Sequence, residues 1–290
     1  MLLGALEAGG TKMVCAIGDE TGKIIDRISL PTETPEVTMP KMIEYFKQYK
    51  LDALGIGTFG PADLNPKSET YGHITTTPKL AWKNYDIMGE FKKALDIPVG
   101  FDTDVNAAAL GEAAYGCMKD VDNGIYITIG TGVGVGVMVN RELLHGMQHP
   151  EGGHILIAKN PTDTYKGRCP YHDTCLEGLA AGPAIEGRYG KKAIELADIP
   201  EVWELEAEYI AKALVNYILI LSPERIVLGG GVMHQEHLFP LIRKKTLELL
   251  NGYVSTKQLD NIDSYIVPPS LNDNQGIMGC IKLALNALEA

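Results

Sequence analysis

The chain has 290 residues, 45% of them apolar, and a net charge of −11; this length suits two domains, and this apolar fraction excludes a disordered chain. The negative charge, without a Lys- or Arg-rich run of the kind that grips nucleic acid, argues against a nucleic-acid partner but not against phosphates held by backbone N–H groups and a metal. No apolar run approaches the roughly 18–20 residues that cross a bilayer, and residues 1–8 are too short for a secretory signal, so we expect a cytoplasmic protein without a membrane partner.

Strands and helices alternate along the predicted chain. From hydrophobic periodicity and turn residues, strands are predicted at 2–7, 13–18, 23–30, 54–57, 99–101, 125–129, 133–139, 142–144, 225–228 and 265–267. Helices are predicted at 36–49, 86–95, 106–115, 183–197, 201–221, 235–250 and 276–288. The stretch 145–182 is predicted to be loop-rich.

One order of elements occurs twice: a strand, a Gly/Thr turn, a second strand, a turn and a third strand. The first copy covers 2–30 and the second begins at residue 124. Such internal duplication indicates two similar α/β domains, each opening with an antiparallel hairpin whose Gly-rich tip points toward a shared cleft. The predicted smaller domain comprises 1–115 and 277–290, and the larger domain comprises 116–276.

The first turn has the sequence Glu7-Ala8-Gly9-Gly10-Thr11-Lys12. Glycines let the backbone approach a phosphate closely, and consecutive N–H groups make an anion nest. Thr11 adds a hydroxyl donor and Lys12 a cation, while Glu7 at the strand end could hold a hydrated magnesium ion. An ordinary hairpin turn is an equally good interpretation of this segment alone.

Two further Gly-rich turns follow strands, Gly130-Thr131-Gly132 and Gly229-Gly230-Gly231. Either could be a mere connection, although the second would suit an adenine ring or an α-phosphate. Two equivalent Gly/Thr hairpins that hold the β- and γ-phosphates from either side are the arrangement of the actin-like ATPases. The chain has no Walker A sequence, so a P-loop is excluded.

Asp102-Thr103-Asp104-Val105-Asn106 follows a predicted strand. The carboxyl end of a strand is a favoured site position in α/β folds, and Asp102 and Asp104 project to the same side of an extended segment. We interpret Asp104 as a catalytic base and Asp102 as structural. The alternative for Asp104 is a helix N-cap.

The five cysteines of a cytoplasmic chain are not expected to form disulfides. Cys169, His172 and Cys175 lie close together in the loop-rich stretch, and His154 lies upstream. Two thiolates and two imidazoles fill a tetrahedral zinc site and leave no place for water, which predicts a structural zinc ion. The alternative is two unrelated histidines and two reduced thiols.

Two carboxylates, Glu151 and Glu177, flank these predicted metal ligands in the sequence. If a metal orders the loop, both become fixed hydrogen-bond acceptors of the kind that sugar hydroxyls need. Without the metal, both would be solvated surface residues.

Together these motifs resemble the bacterial repressors, open-reading-frame proteins and kinases known as the ROK family, over essentially the whole chain. The motifs that carry the resemblance are Glu7–Lys12, Phe59-Gly-Pro61, Thr103–Glu112, Ile129–Gly132, Glu151–His154, the Cys/His cluster, Leu176–Pro183 and Leu228–Val232. Cys169-Pro-Tyr-His172 and Thr75-Thr-Thr-Pro-Lys79 most resemble the fructokinases of that family.

The resemblance implies an actin-like ATPase (ribonuclease H-like) fold and transfer of the ATP γ-phosphate to a hexose 6-hydroxyl, with ATP, Mg²⁺ and a structural Zn²⁺ as cofactors, fructose as the favoured sugar and a homodimer as the assembly. It places the general base at Asp104. The phosphate-binding residues implied are Gly9, Gly10, Thr11, Lys12, Gly130, Thr131, Gly132, Gly182, Pro183, Gly229, Gly230 and Gly231. The sugar-binding residues implied are Gly60, Pro61, Asn106, Glu151, His154 and Glu177, with His154 also a zinc ligand.

The sequence departs from many relatives in the family at three places. Glu7 stands where many have Asp, which lengthens the arm to magnesium, and Thr103 stands where many have Asn, which bears on sugar specificity. The metal cluster has two cysteines and two histidines where many have three cysteines. A kinase for glucose, mannose or an N-acetylated aminosugar, a sugar-sensing repressor and a non-catalytic binding protein remain alternatives.

Overall fold

The computed structural model describes residues 1–289, which divide into two units. The first unit comprises Met1–Asp120, Glu142–Pro150 and the residues from Ser270 onward; the second comprises Val121–Arg141 and Glu151–Pro269. The predicted end of the smaller domain, residue 290, lies outside the described residues. None of the helices in the described part combines the length and the apolar character that a membrane span requires.

Ten strands and ten α-helices make up the described fold. The strands are β1 (Leu3–Ala8), β2 (Lys12–Gly18), β3 (Ile24–Pro31), β4 (Ala53–Thr58), β5 (Val99–Thr103), β6 (Gly124–Ile129), β7 (Val133–Val139), β8 (Glu142–Leu143), β9 (Arg225–Gly229) and β10 (Ile266–Val267). The helices are α1 (Pro35–Lys47), α2 (Ile87–Leu95), α3 (Asp104–Tyr115), α4 (Leu176–Ala180), α5 (Gly182–Tyr189), α6 (Pro200–Leu221), α7 (Leu238–Leu250), α8 (Lys257–Asp260), α9 (Ile262–Tyr265) and α10 (Gln275–Glu289).

The first sheet has the strand order β3-β2-β1-β4-β5. β1, β2 and β3 pair antiparallel, whereas β4 and β5 run parallel to β1. The central strands β1 and β4 are buried along nearly their whole length and are mostly apolar, because both faces of the sheet are covered. Glu7 and Thr58, near the ends of these strands, are the polar exceptions. On one face α10 approaches β4 so closely that a Cβ atom on Gly55 would overlap the carbonyl of Cys280. The start of α3 lies beside the end of β4, where a Cβ atom on Gly57 would lie 3.4 Å from the Cα atom of Asp104.

The second sheet has the strand order β10-β9-β6-β7-β8. β6 and β7 form an antiparallel hairpin, and β9 and β10 continue the sheet in parallel. A hairpin extended by parallel strands is also the plan of the first sheet. The duplication predicted from the sequence is therefore a duplication of strand topology.

One sequence prediction is wrong within residues 145–197. The helix predicted at 183–197 ends at Tyr189, because Gly190 adopts the left-handed conformation (φ +69°) that terminates helices. A single 3₁₀ turn at Ala193–Leu196 follows it. The stretch predicted to be loop-rich is mostly irregular, and it also contains α4, a short helix whose first turn is capped by the Cys175 sulfur.

Candidate active site and metal centre

Asp104 is the first residue of α3, directly after β5, and it is half-buried. Thr103 is the N-cap of this helix, because its hydroxyl accepts a hydrogen bond from the Asn106 N–H at 3.2 Å. Oδ1 of Asp104 accepts a hydrogen bond from the Val105 N–H at 2.8 Å. The capping alternative for Asp104 is therefore excluded, and Thr103 explains how the helix begins.

Asp102, which we interpreted as structural, is 2% exposed. Its Oδ1 accepts hydrogen bonds from the Thr103 N–H and the Asn106 Nδ2, both at 2.7 Å, and its Oδ2 lies 2.8 Å from Nε2 of His145. The bond to Asp102 raises the pKa of His145 above its usual value. Sequence reasoning missed His145, which lies two residues after the short strand β8 and belongs to no motif.

The turn between β1 and β2, called here the first tip, comprises Gly9–Lys12. Its backbone closes through a hydrogen bond from the Gly9 N–H to the Lys12 carbonyl at 3.0 Å, and Thr11 and Lys12 are exposed. Glu7 lies two residues before the tip; burial raises the pKa of its carboxyl group, and Lys12 and Arg27 oppose that shift. The tip therefore presents free side-chain donors beside a desolvated carboxylate.

Gly60 and Pro61 lie in the turn after β4. The Pro61 carbonyl accepts two hydrogen bonds from Thr75, one from the N–H at 2.8 Å and one from the hydroxyl at 3.0 Å. Nε2 of the buried His149 accepts a hydrogen bond from the Ala62 N–H at 3.3 Å. Segments far apart in the sequence thus fix this turn.

The turn between β6 and β7, called here the second tip, comprises Gly130–Gly132. The Gly130 N–H donates to the Gly132 carbonyl at 2.9 Å, and the Gly130 carbonyl accepts from the N–H of Gly182, the first residue of α5, at 2.8 Å. Oε2 of Glu177, on α4, accepts a hydrogen bond from the Val133 N–H at 3.0 Å. Two helices therefore hold this tip from one side.

A cavity of about 380 Å³ adjoins the second tip. It contains five of the residues predicted to bind the nucleotide, and its lining is Gly130, Thr131, Gly182, Pro183, Glu186, Lys192, Ala193, Gly231 and Val232. Gly229 lies at the end of β9 against Tyr126 and Pro269, and Gly230 adopts a φ of +89° that turns the chain toward Gly231. Glu186, Lys192 and Ala193 were not predicted from the sequence.

His154, Cys169, His172 and Cys175 converge, with one ligand atom of each within 4.8 Å of the others. The Cys169 sulfur lies 3.6 Å from Nδ1 of His154 and 3.8 Å from Nδ1 of His172, and the Cys175 sulfur lies 3.7 Å from Nδ1 of His154. A tetrahedral zinc ion with ordinary Zn–S and Zn–N bonds sets such separations at about 3.3–3.8 Å. The residues therefore fit zinc in both chemistry and spacing.

Glu151 precedes a 3₁₀ turn at Gly152–His154 that packs on β7, and His154 is the last residue of that turn. Nε2 of His154, the nitrogen that faces away from the sulfurs, lies 4.0 Å from Oε1 of Glu177. Carboxylates in this position commonly orient metal-bound histidines. Glu177 thus contacts the second tip and also faces the metal cluster.

The predicted site residues divide between the two units. The first unit contains Glu7, Gly9, Gly10, Thr11, Lys12, Gly60, Pro61, Asp104 and Asn106. The second unit contains the second tip, the Gly229–Gly231 turn, Gly182, Pro183, Glu151, Glu177 and the four Cys/His ligands.

Comparisons with known proteins agree with this architecture. The family model described as "ROK family" matches residues 3–287. The chain is 50% identical to the fructokinase of Pediococcus pentosaceus, with 100% of this chain and 99% of that protein covered. It is 43% identical to the fructokinase of Streptococcus mutans, with 98% and 97% covered.

Among solved structures, the ROK hexokinase from Thermus thermophilus superimposes with a TM-score of 0.81 at 25% identity, covering 100% of this chain and 99% of that one. The two five-stranded α/β sheets are those of the actin-like ATPase fold that such kinases have. The predicted fold class is confirmed.

Proposed function

The chain belongs to the ROK family, and we propose that it is an ATP-dependent fructokinase that converts D-fructose and ATP into D-fructose 6-phosphate and ADP. The identity to fructokinases along the full chain supports the substrate. The main support for this chemistry is Asp104, a half-buried carboxylate at the start of α3. Thr103, and not Asp104, caps that helix.

Asp104 acts as the general base. Its carboxylate accepts the proton of the sugar's primary hydroxyl while that oxygen attacks the γ-phosphorus, and the bond from the γ-phosphorus to the β-phosphate oxygen breaks to release ADP. The sugar-binding residues that we propose are Asn106, Gly60 and Pro61 in the first unit. In the second unit they are Glu151, His154 and Glu177. Carboxylate, amide and backbone oxygens are acceptors that match the sugar's hydroxyl groups.

In each unit the tip supplies phosphate-binding groups: backbone N–H groups with the hydroxyl of Thr11 at the first tip, and backbone N–H groups with the hydroxyl of Thr131 at the second. The 380 Å³ cavity beside the second tip receives the nucleoside. Magnesium, when bound, neutralises charge on the β- and γ-phosphates. Glu7 would hold it through water, since a single carboxylate and several water molecules are a normal ligand set for this ion.

The Cys/His cluster holds a structural zinc ion through His154, Cys169, His172 and Cys175. All four positions of a tetrahedral ion are filled by protein, so zinc, when bound, stabilises the loop and performs no chemistry. Its function in the kinase is to fix α4, which carries Glu177.

The decisive experiment measures ADP release with a panel of hexoses, for the wild-type protein and for Asp104→Asn. We expect fructose to give the highest kcat/KM, and Asp104→Asn to lower kcat by about 10²–10⁴-fold, the usual contribution of a general base. ADP affinity should be unchanged, because Asp104 does not hold the nucleotide.

Asp96→Asn is the matched control, since Asp96 is a left-handed residue at the end of α2 where Asn is equally suitable. Near-normal turnover of Asp104→Asn would refute the base. A preference for glucose, mannose or an N-acetylated aminosugar would refute fructose. Sugar binding without ADP release by the wild type would favour a sugar-sensing regulator or a non-catalytic binding protein.

We further propose a cytoplasmic homodimer with domains at 1–115 plus 277–290 and at 116–276. Light scattering coupled to gel filtration tests the dimer, for which a monomeric mass is the contrary result. Limited proteolysis followed by mass spectrometry tests the boundaries.

A further inference from the structure

A buried carboxylate, Asp102, joins three segments of the first unit. It lies at the end of β5 and is in contact with the first turn of α3 through Asn106 and with the loop after β8 through His145. An ionised carboxylate only accepts hydrogen bonds. Each neighbour must therefore present a donor to it.

This requirement fixes the orientation of the Asn106 side chain. The atom that faces Asp102 Oδ1 at 2.7 Å must be the amide nitrogen, so the amide oxygen faces the other way. Asn106 is 1% exposed, and its Oδ1 has no hydrogen-bond partner among the described residues. A buried acceptor without a donor is rare in folded proteins and indicates a missing partner. Asp104 lies two residues earlier on the same helix turn.

The same requirement fixes the tautomer of His145. Nε2, 2.8 Å from Asp102 Oδ2, carries a hydrogen. The imidazole is 40% exposed and lines a cavity of about 430 Å³ beside Thr75 and Gln148. The His145 ring is therefore bonded through Nε2 to the buried Asp102 carboxylate, and it also borders the cavity.

We propose that His145 and Asp102 form a hydrogen-bond relay that holds the Asn106 amide oxygen as the acceptor for a sugar hydroxyl; this inference rests on the proposed function. Asp102 and His145 are positioning residues and act through Asn106. The relay fixes whether Asn106 presents a hydrogen-bond acceptor or a donor to the sugar. Because it presents the amide oxygen, the site selects a hydroxyl group, which can donate, over a group that only accepts.

The relay is tested by steady-state kinetics of Asp102→Asn and His145→Phe. In Asp102→Asn the new amide can donate to Asn106, which is then free to turn its NH₂ group outward. We expect the KM for fructose to rise about tenfold in both variants, as for one lost hydrogen bond. The KM for ATP should stay within about twofold of the wild type, because the relay does not touch the phosphate tips.

His145→Gln separates positioning from bulk structure. Glutamine keeps a neutral donor for Asp102, so it should restore most of the sugar affinity that His145→Phe loses. His73→Gln is the matched control, because His73 also faces an aspartate in the same unit, Asp86 at 3.7 Å. Among the described residues, the His73 side chain has no hydrogen bond to Asp102 or Asn106. The KM of this control for fructose should equal that of the wild type.

A double-mutant cycle completes the test. In an Asn106→Ala background, His145→Phe should have no further effect on the KM for fructose, since the residue through which it acts is gone. Unchanged sugar KM in folded His145→Phe, or an undiminished effect in the Asn106→Ala background, would overturn the relay. Absence of ADP release by the wild type would instead overturn the proposed kinase. If Asp102→Asn fails to fold, the His145 variants and the cycle still decide the question.

Discussion

The β1–β2 and β6–β7 hairpins end in turns of similar composition, and different neighbours hold these turns in place. At the first tip, Thr32 donates from its N–H to the Thr11 carbonyl at 3.0 Å and from its hydroxyl to the Gly9 carbonyl at 2.7 Å. Thr32 directly follows β3, so the first tip is held by a neighbouring strand of the sheet to which β1 and β2 belong. The tip also carries a charged residue, Lys12, and the charged Glu7 lies two residues before it.

The second tip carries no charged residue, and helices hold it instead. Its Gly130 carbonyl is bonded to the start of α5, and Glu177 of α4 accepts from Val133 directly after it. α4 begins at Cys175, whose sulfur accepts a hydrogen bond from the Gly178 N–H at 3.3 Å. A chain of contacts thus leads from the metal cluster to the second tip. Two turns of one design can therefore depend on quite different parts of the protein.

Loss of the proposed zinc ion should produce the largest effect, and this effect should differ between the two tips. Cys175→Ser removes a ligand and should destabilise the second unit by about 3 kcal/mol or more, because metal binding is coupled to folding. In hydrogen–deuterium exchange, the amides of Val133 and Gly182 should lose protection. Those of Gly9 and Thr32 should not.

Cys117→Ser is the matched control, because Cys117 is a half-buried thiol outside the cluster. It should leave the exchange pattern and the bound zinc, measured by elemental analysis, unchanged. Equal loss of protection at both tips in Cys175→Ser would contradict the comparison.

Alanine at the equivalent glycines should give an intermediate effect. A Cβ atom on Gly9 would lie 2.7 Å from the Lys12 carbonyl oxygen, whereas on Gly130 its nearest neighbour would be the Gly231 nitrogen at 3.9 Å. Gly9→Ala should therefore cost about 1–3 kcal/mol of stability through overpacking. Gly130→Ala should keep the Tm of the wild type.

The cost at Gly130 should appear in binding instead. The residue lines the 380 Å³ cavity, so an added methyl group occupies space that we propose for the nucleotide. Calorimetry should find weaker ADP binding by Gly130→Ala at an unchanged Tm. A fall in Tm as large as that of Gly9→Ala would show that the two tips do not differ in this way.

Local sequence signals predict most of this fold. Apolar runs bounded by glycine locate both hairpins, and their repetition predicts the paired sheets. The helix predicted at 183–197 fails because apolar periodicity continues past Gly190, and the left-handed turn there outweighs it. α4 escapes prediction because five residues are too few for a periodic signal.

The candidate site is less fully predictable. Asp104, the tips and the Cys/His cluster stand out because their chemistry is concentrated in short segments. His145 does not, since its partner Asp102 is 43 positions away and only the tertiary fold brings them together. The same holds for Glu186 and Lys192 beside the second tip. Contacts that depend on the path of loops leave no pattern in the sequence.

The smallest predicted effect concerns Glu7, which occupies in the first hairpin the position that Thr128 occupies in the second, two residues before the leading glycine. Burial raises the pKa of Glu7, so the folded state holds this proton more tightly than the unfolded state. This tighter proton binding stabilises the folded state fully at a pH below the unfolded pKa of about 4.3. The stabilisation disappears as the pH rises through the pKa of the folded state. At neutral pH without ligand, Glu7→Gln should therefore raise the Tm by about 1–3 °C, and the gain should vanish near pH 4.

Lys12→Met should act in the opposite direction, because the Lys12 charge opposes the shift. Thermal melts from pH 4 to 8 measure both effects. They also distinguish the tips, since a carboxylate retained beside the first tip at this cost in stability implies a cation for it to bind. Equal Tm for Glu7→Gln and the wild type at every pH would remove that argument, whereas a higher Tm together with weaker binding of magnesium–ADP would establish it.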